Sequence, residues 1–118
     1  MDIENYEMSM LLDFYGQLLT KSQYECLDLH CNQDLSLAEI AEELRISRQG
    51  VHDFIKRGRS LLLEYEEKLG LLHRFRKTAE QLSEIQDKLA AIQKKCDSEN
   101  RQAIDDLTIS LQKVISEL

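Results

Sequence analysis

The chain has 118 residues, a net charge of -7, no Pro and four Gly. That length suits one helical domain or a small domain with a helical extension, and the negative balance argues against a protein that coats nucleic acid without selectivity. No run approaches about 18 uncharged apolar residues, so membrane insertion is not expected. The opening MDIENYEMS is acidic and lacks the basic and apolar regions of a signal peptide, so the expected location is cytoplasmic.

Abundant Leu, Ile, Glu, Gln and Lys without Pro predict an all-α chain. The first helical pattern covers Ile3 to Leu19. Its apolar side carries Met8, Leu11, Leu12, Tyr15, Leu18 and Leu19, and its cap is Asp2 or Asn5. Thr20 then caps a second helix, with Gln23 placed to close a capping box. That helix runs to Leu29 or His30, and Tyr24 and Leu27 are its core candidates. A polar connector, His30 to Asp34, leads to a second capping box made by Ser36 and Glu39, with Leu35 and Ile40 as a hydrophobic staple. The third helix ends near Leu44. Ile40, Ala41 and Leu44 share one face, and Glu39, Glu42 and Glu43 point outward. Arg45-Ile46 makes the turn. Ser47 caps a fourth helix that runs from Arg48 to Arg59 or beyond, with Val51, Phe54 and Ile55 inward.

Gly70 either ends the apolar stretch through Leu61, Leu62, Leu63, Tyr65 and Leu69 or sits within one long helix. Leu72, Phe75, Ala79, Leu82, Ile85 or Gln86, Leu89 and Ile92 then recur at threes and fours, which predicts a long amphipathic helix. Such a stripe either folds back on the N-terminal helices or buries against another copy. Cys96 to Asn100 reads as a joint. The last helix carries Ile104, Leu107, Leu111, Val114 and Leu118 at the spacing of a coiled-coil seam. Residues 1–65 are thus expected as an N-terminal helical domain and 66–118 as a C-terminal extension for packing or dimerisation.

Residues 36–59 have the pattern of a helix-turn-helix, in which the second helix places its first residues in the major groove. Arg48 suits bidentate contact with guanine, and Gln49 suits adenine. Ser47 and the first free amides of the helix suit a phosphate. Lys56, Arg57 and Arg59 suit backbone phosphates, and His52 suits either role. Charge supports the placement: residues 1–34 carry -6 and 96–118 carry -3, whereas 35–60 and 61–95 each carry +1. Asp53, Glu39, Glu42 and Glu43 oppose phosphate binding.

The run LTKSQYECLDLHCNQDLSLAEIAEELRISRQGVHDFIKRGRSLL resembles region 4 of bacterial sigma factors, which reads the -35 promoter element. EIAEEL, ISRQGV and IKRGRSLL are its most specific pieces. The resemblance implies that Arg48, Gln49 and His52 face the bases. Only a short segment precedes the match, so a self-sufficient sigma factor is not expected. Nearly the full length, including MLLDFYGQLLT and LLLEYEEKLGLLHRF, is similar to the small YlxM family of Gram-positive bacteria and mycoplasmas. That resemblance implies a DNA-binding regulatory protein linked to the signal recognition particle pathway, because the family's genes tend to neighbour those of the particle's GTPase and receptor. Double-stranded DNA and components of that particle are the implied partners, and the apolar stripe adds a second copy of the chain. The alternatives are a protein- or RNA-binding adaptor of the particle or its receptor, and a polymerase-associated factor. Arg45 stands where many helix-turn-helix proteins carry Gly.

No enzyme, cofactor or metal site is expected. His30, His52 and His73 are far apart, and neither HExxH nor GxxxxGK[ST] occurs. Cys26, Cys31 and Cys96 match no C-x₂-C zinc spacing and read as buried or partly buried thiols. Cys26 and His30 are four apart, but no oxyanion site accompanies them. The basic group His73, Arg74, Arg76 and Lys77 follows the acidic run Glu64, Glu66 and Glu67. It reads as a solvated helix face, with a supplementary phosphate contact as the alternative.

Overall fold

The computed structural model describes residues 5–118, all of whose regular elements are helical. They are α1 (Asn5–Tyr15), a 3₁₀ turn (Gly16–Leu18), α2 (Lys21–Cys31), α3 (Leu37–Leu44), α4 (Arg48–Leu69), α5 (Leu71–Lys95) and α6 (Ser98–Ser116). The chain forms two compact units, one ending at Leu72 and the other spanning His73–Leu118. Asp2 and Ile3 lie outside the described residues.

In the first unit α4 packs against α1, α2 and α3. Met8, Leu11, Leu12 and Tyr15 of α1 are buried with Cys26, Leu27 and Leu29 of α2 and Ile40 and Ala41 of α3. Val51, Ile55 and Leu62 of α4 join them, with Leu72 closing the cluster. The expected α1 stripe is buried through Tyr15 and includes half-buried Leu19, which packs against the core, but Leu18 leaves it. Leu18 is 55 % exposed because the helix tightens to a 3₁₀ turn at Gly16 and rotates it outward. Tyr24 is likewise exposed and is replaced in the α2 core by Cys26 and Leu29. Its ring lies over Gly16, where an added Cβ would stand 2.7 Å from it. Gly58 has a parallel role within α4, since a Cβ there would meet buried Leu27 at 2.5 Å. Glycine permits the close crossing of α2 and α4.

The helix starts follow their local chemistry. Thr20 and Ser36 each accept from the amide three residues on, at 3.2 and 3.1 Å, while Gln23 and Glu39 accept the caps' own amides. Glu39 is held below the usual carboxylate range by the Ser36 amide. Arg45 ends α3 in the left-handed region, with φ 58° and ψ 44°. A non-Gly residue there costs roughly 1 kcal/mol. Arg45→Gly is therefore expected to raise the unfolding free energy by about 1 kcal/mol, read as a higher midpoint in urea. Gly70 ends α4 in the same region, at φ 63°.

The α5 amide ends are closed by distant side chains. Tyr15 donates its hydroxyl proton to Glu66 Oε1 at 2.7 Å and accepts from the Leu71 amide at 3.0 Å. The Leu72 amide donates to the same Glu66 oxygen at 3.0 Å. Burial and the Glu66 bond push the Tyr15 phenol up.

In the second unit Asp97 caps α6, and Gln93 donates to Asp105 at 2.6 Å, which brings α6 back alongside α5. Half-buried positions recur as Phe75, Ala79, Leu82, Gln86, Leu89 and Gln93 on α5 and as Ile104, Thr108, Leu111 and Ile115 on α6. Both rows alternate threes and fours, the repeat of an antiparallel two-helix seam. The expected α6 seam needs correction. Leu107, Val114 and Leu118 are 55, 50 and 48 % exposed, as are Ile85 and Ile92 at 47 and 51 %. Two apolar stripes lie side by side on α6, and the spacing along one helix does not select between them.

Candidate nucleic-acid interface

The α3–α4 pair is positioned from beneath and held in shape at its turn. Ile40 and Ala41 share a core cluster with Val51 and Ile55, so the inner faces of both helices are fixed. Between them the Ile46 amide returns to the Ala41 carbonyl at 3.1 Å, which closes the α3 end around Arg45. Ser47 accepts from the Gly50 amide at 2.9 Å and so starts α4 abruptly. Gly50 therefore sits in the first turn of α4.

Ser47, Arg48, Gln49, His52, Lys56 and Arg57 are all exposed, and Arg59 is half-buried. Helical spacing places Arg48, His52, Lys56 and Arg59 along one side of α4. Arg57 lies apart from them. It borders a separate groove with Gln23, Asp53 and Leu61, and Lys56 and Ser60 touch both grooves. Gln49 does not present both amide groups to solvent, because its Nε2 donates to Asp53 Oδ1 at 3.1 Å. The same Asp53 oxygen stands 3.6 Å from His52 Nδ1. Asp53 therefore holds Gln49, and its charge lies beside both of these proposed reading side chains. Ser47 keeps a hydroxyl proton to donate, since its oxygen serves the cap as acceptor.

Beside α4 an open groove of about 400 Å³ is bordered by His30, Leu37, His52, Lys56, Arg59 and Ser60. His30 donates from Nδ1 to the Leu35 carbonyl at 3.0 Å, which leaves Nε2 as the ring's other polar atom. The groove thus combines cationic heads, two imidazoles and a hydroxyl, a set suited to phosphate oxygens. Sequence reading missed His30 and Ser60. His30 belongs to another helix, and Ser60 lies beyond the expected span of the motif.

Cys26 is buried and Cys31 half-buried, and burial pushes both thiols up, with Arg59 partly opposing the shift at Cys31. That is opposite to the lowered thiol of a nucleophilic cysteine. Among the described residues no group of three or more His, Cys, Asp or Glu is placed to hold a metal ion, and no helix is long and apolar enough to cross a membrane.

Residues 3–104 match the model of UPF0122, described as "Putative helix-turn-helix protein, YlxM / p13 like". The chain belongs to the UPF0122 family. It is 69 % identical over 70 residues to a UPF0122 protein of Acetivibrio thermocellus, covering 59 % of this chain and 60 % of that one. It is 58 % identical over 69 residues to one of Clostridium kluyveri, covering 58 and 62 %. The chain thus spans about three-fifths of the length of these two relatives. A longer match, 41 % identical over 105 residues, links it to a UPF0122 protein of Clostridium acetobutylicum and covers 88 and 90 %. The family's helix-turn-helix description agrees with the all-α architecture and with the α3–α4 pair.

Proposed function

We propose that this UPF0122 chain is a cytoplasmic DNA-binding regulatory protein that acts as a homodimer in connection with the signal recognition particle pathway. The observation that carries the reading is the row Arg48, His52, Lys56 and Arg59, the first three exposed and the last half-buried, on the helix that follows the left-handed turn at Arg45. Arg48 and Gln49 read base edges from the start of α4, and His52 reaches a base or a phosphate. Ser47, Lys56, Arg57 and Arg59 hold the backbone. A homodimer supplies the two-fold symmetry that paired half-sites require. Binding to fragments of the source genome, followed at several salt concentrations, tests the reading. Selective binding with a negative slope against salt supports it, and the absence of both sinks it.

Asp53 supplies a second test. Asp53→Asn removes a negative charge from beside His52 and weakens the bond that holds Gln49. DNA affinity is expected to rise by about threefold to tenfold at low salt, measured by fluorescence anisotropy.

The acidic surroundings favour one further reading, an adaptor of the signal recognition particle or its receptor. Glu39, Glu42, Glu43 and Asp53 are all exposed around the helix pair, where they repel phosphates and suit a basic protein surface. Co-purification with components of that particle from native cells supports the adaptor, and its absence counts against it. A polymerase-associated factor is set apart by co-purification with polymerase.

A further inference from the structure

The second unit has no buried side chain of its own, although it is built of two long helices. Its seam is half-buried, and an isolated helical hairpin with no closed core is marginal in water. One flank of the hairpin is apolar. Counting from the seam, Ile85 and Ile92 occupy the same flanking heptad position on α5, and Leu107 and Val114 occupy it on α6. In an antiparallel pair such positions lie on the same side of the two helices. Continued along both helices, the register set by Gln93 and Asp105 brings Ile92 level with Leu107 and Ile85 level with Val114. All four are about half exposed. The opposite flank carries Ser83, Asp105 and Gln112 and is polar.

Charge identifies what covers this face. Beyond the apolar strip, the α5 edge carries Lys77, Glu84, Lys88 and Lys95. The α6 edge carries Glu99, Asp106, Lys113 and Glu117. The first edge is net positive and the second net negative. A two-fold axis parallel to the helices lays α5 of one copy against α6 of the other. Every neighbouring pair is then antiparallel, and unlike edges meet. The other two-fold arrangement sets α5 against α5 and α6 against α6, where like edges meet. The single exceptions also match in the first arrangement, since Glu84 of one copy stands level with Lys113 of the other.

We propose that Ile85, Ile92, Leu107 and Val114 form the interface with a second copy of this chain, giving an antiparallel four-helix bundle with α5 against the partner's α6. This rests on the homodimer reading above and names its surface and arrangement. Light scattering and sedimentation of the full chain at micromolar concentration are expected to show a dimer. Ile92→Lys combined with Leu107→Lys should raise the dimer Kd by roughly a hundredfold or more, because both charges enter the apolar strip. Ile109→Lys, on the outer side of α6, should leave it unchanged. Glu84→Lys and Lys113→Glu should each weaken the dimer by about threefold, and the two together in one chain should restore it.

A monomeric wild-type chain overturns the proposal, as does a dimer indifferent to Ile92→Lys with Leu107→Lys. Should that pair lose its helical circular dichroism, the charge reversals decide, and a failure to weaken and restore overturns the arrangement. A dimer that obeys these variants but binds no DNA supports this surface and sinks the DNA reading. A chain that binds DNA as a monomer does the reverse.

Discussion

Tyr15→Ala is expected to lower the unfolding free energy of the first unit by about 3–5 kcal/mol, and Tyr15→Phe by about 1–3 kcal/mol. The ring is 1 % exposed and packs beside Tyr65, with ring centroids 5.9 Å apart. Removing it opens a cavity in the buried cluster of the first unit, whose packing cannot fully collapse. Phenylalanine keeps the ring and removes only the hydroxyl. The Leu71 amide then loses its acceptor, and Glu66 loses one donor while keeping the Leu72 amide. Urea unfolding followed at the first unit measures the loss. Faster hydrogen exchange at Leu71 in Tyr15→Phe separates the lost bond from lost packing.

The same hydroxyl gives an alkaline limit. The phenol is raised in the folded chain, so its contribution is fully present below the ordinary tyrosine value. It is lost as pH rises through the folded value. The difference in stability between the wild type and Tyr15→Phe should therefore shrink in strongly alkaline buffer.

Arg48→Ala is expected to weaken selective DNA binding by about tenfold to a hundredfold, the worth of one bidentate base contact of roughly 1–3 kcal/mol. Arg48 is the first residue of α4 and is exposed, so the substitution leaves the core intact. Arg48→Lys keeps the charge but loses the planar fork, and should recover affinity more than selectivity. Lys56→Ala provides the contrast. It should weaken binding evenly across sequences and reduce the salt slope by about one. Anisotropy titrations with a selected site and a scrambled one, each at several salt concentrations, separate the two outcomes. If Arg48→Ala leaves affinity and selectivity untouched, α4 is not the reading helix.

Much of the helical framework was legible because its signals are local. Ser36 with Glu39 and Thr20 with Gln23 form their boxes within one helical turn, and Ser47 caps α4 from three residues away. The inward positions Ile40, Ala41, Val51 and Ile55 also follow from a single helical period. Tyr24 and Leu18 went against that period for tertiary reasons. A 3₁₀ turn at Gly16 rotates one outward, and the other lies over the Gly16 backbone instead of entering the core. At the candidate interface, sequence supplied the residue types along α4 but not the Asp53 contacts, because rotamers decide which side chain a carboxylate takes.

By itself, then, the sequence determined most of the helices, the caps Thr20, Ser36 and Ser47, and the family, since each depends on residues a few positions apart or on matching strings. Only the tertiary structure decided that the first unit closes at Leu72, through Tyr15, Glu66 and the amides of Leu71 and Leu72. It alone set the α2–α4 crossing at Gly58 and Leu27, and joined His30 of α2 to Lys56 and Arg59 of α4 around one groove. It also chose which α6 stripe faces α5. These features join residues far apart in the chain, and they depend on the crossing and register of packed helices, which no periodicity along a single helix encodes.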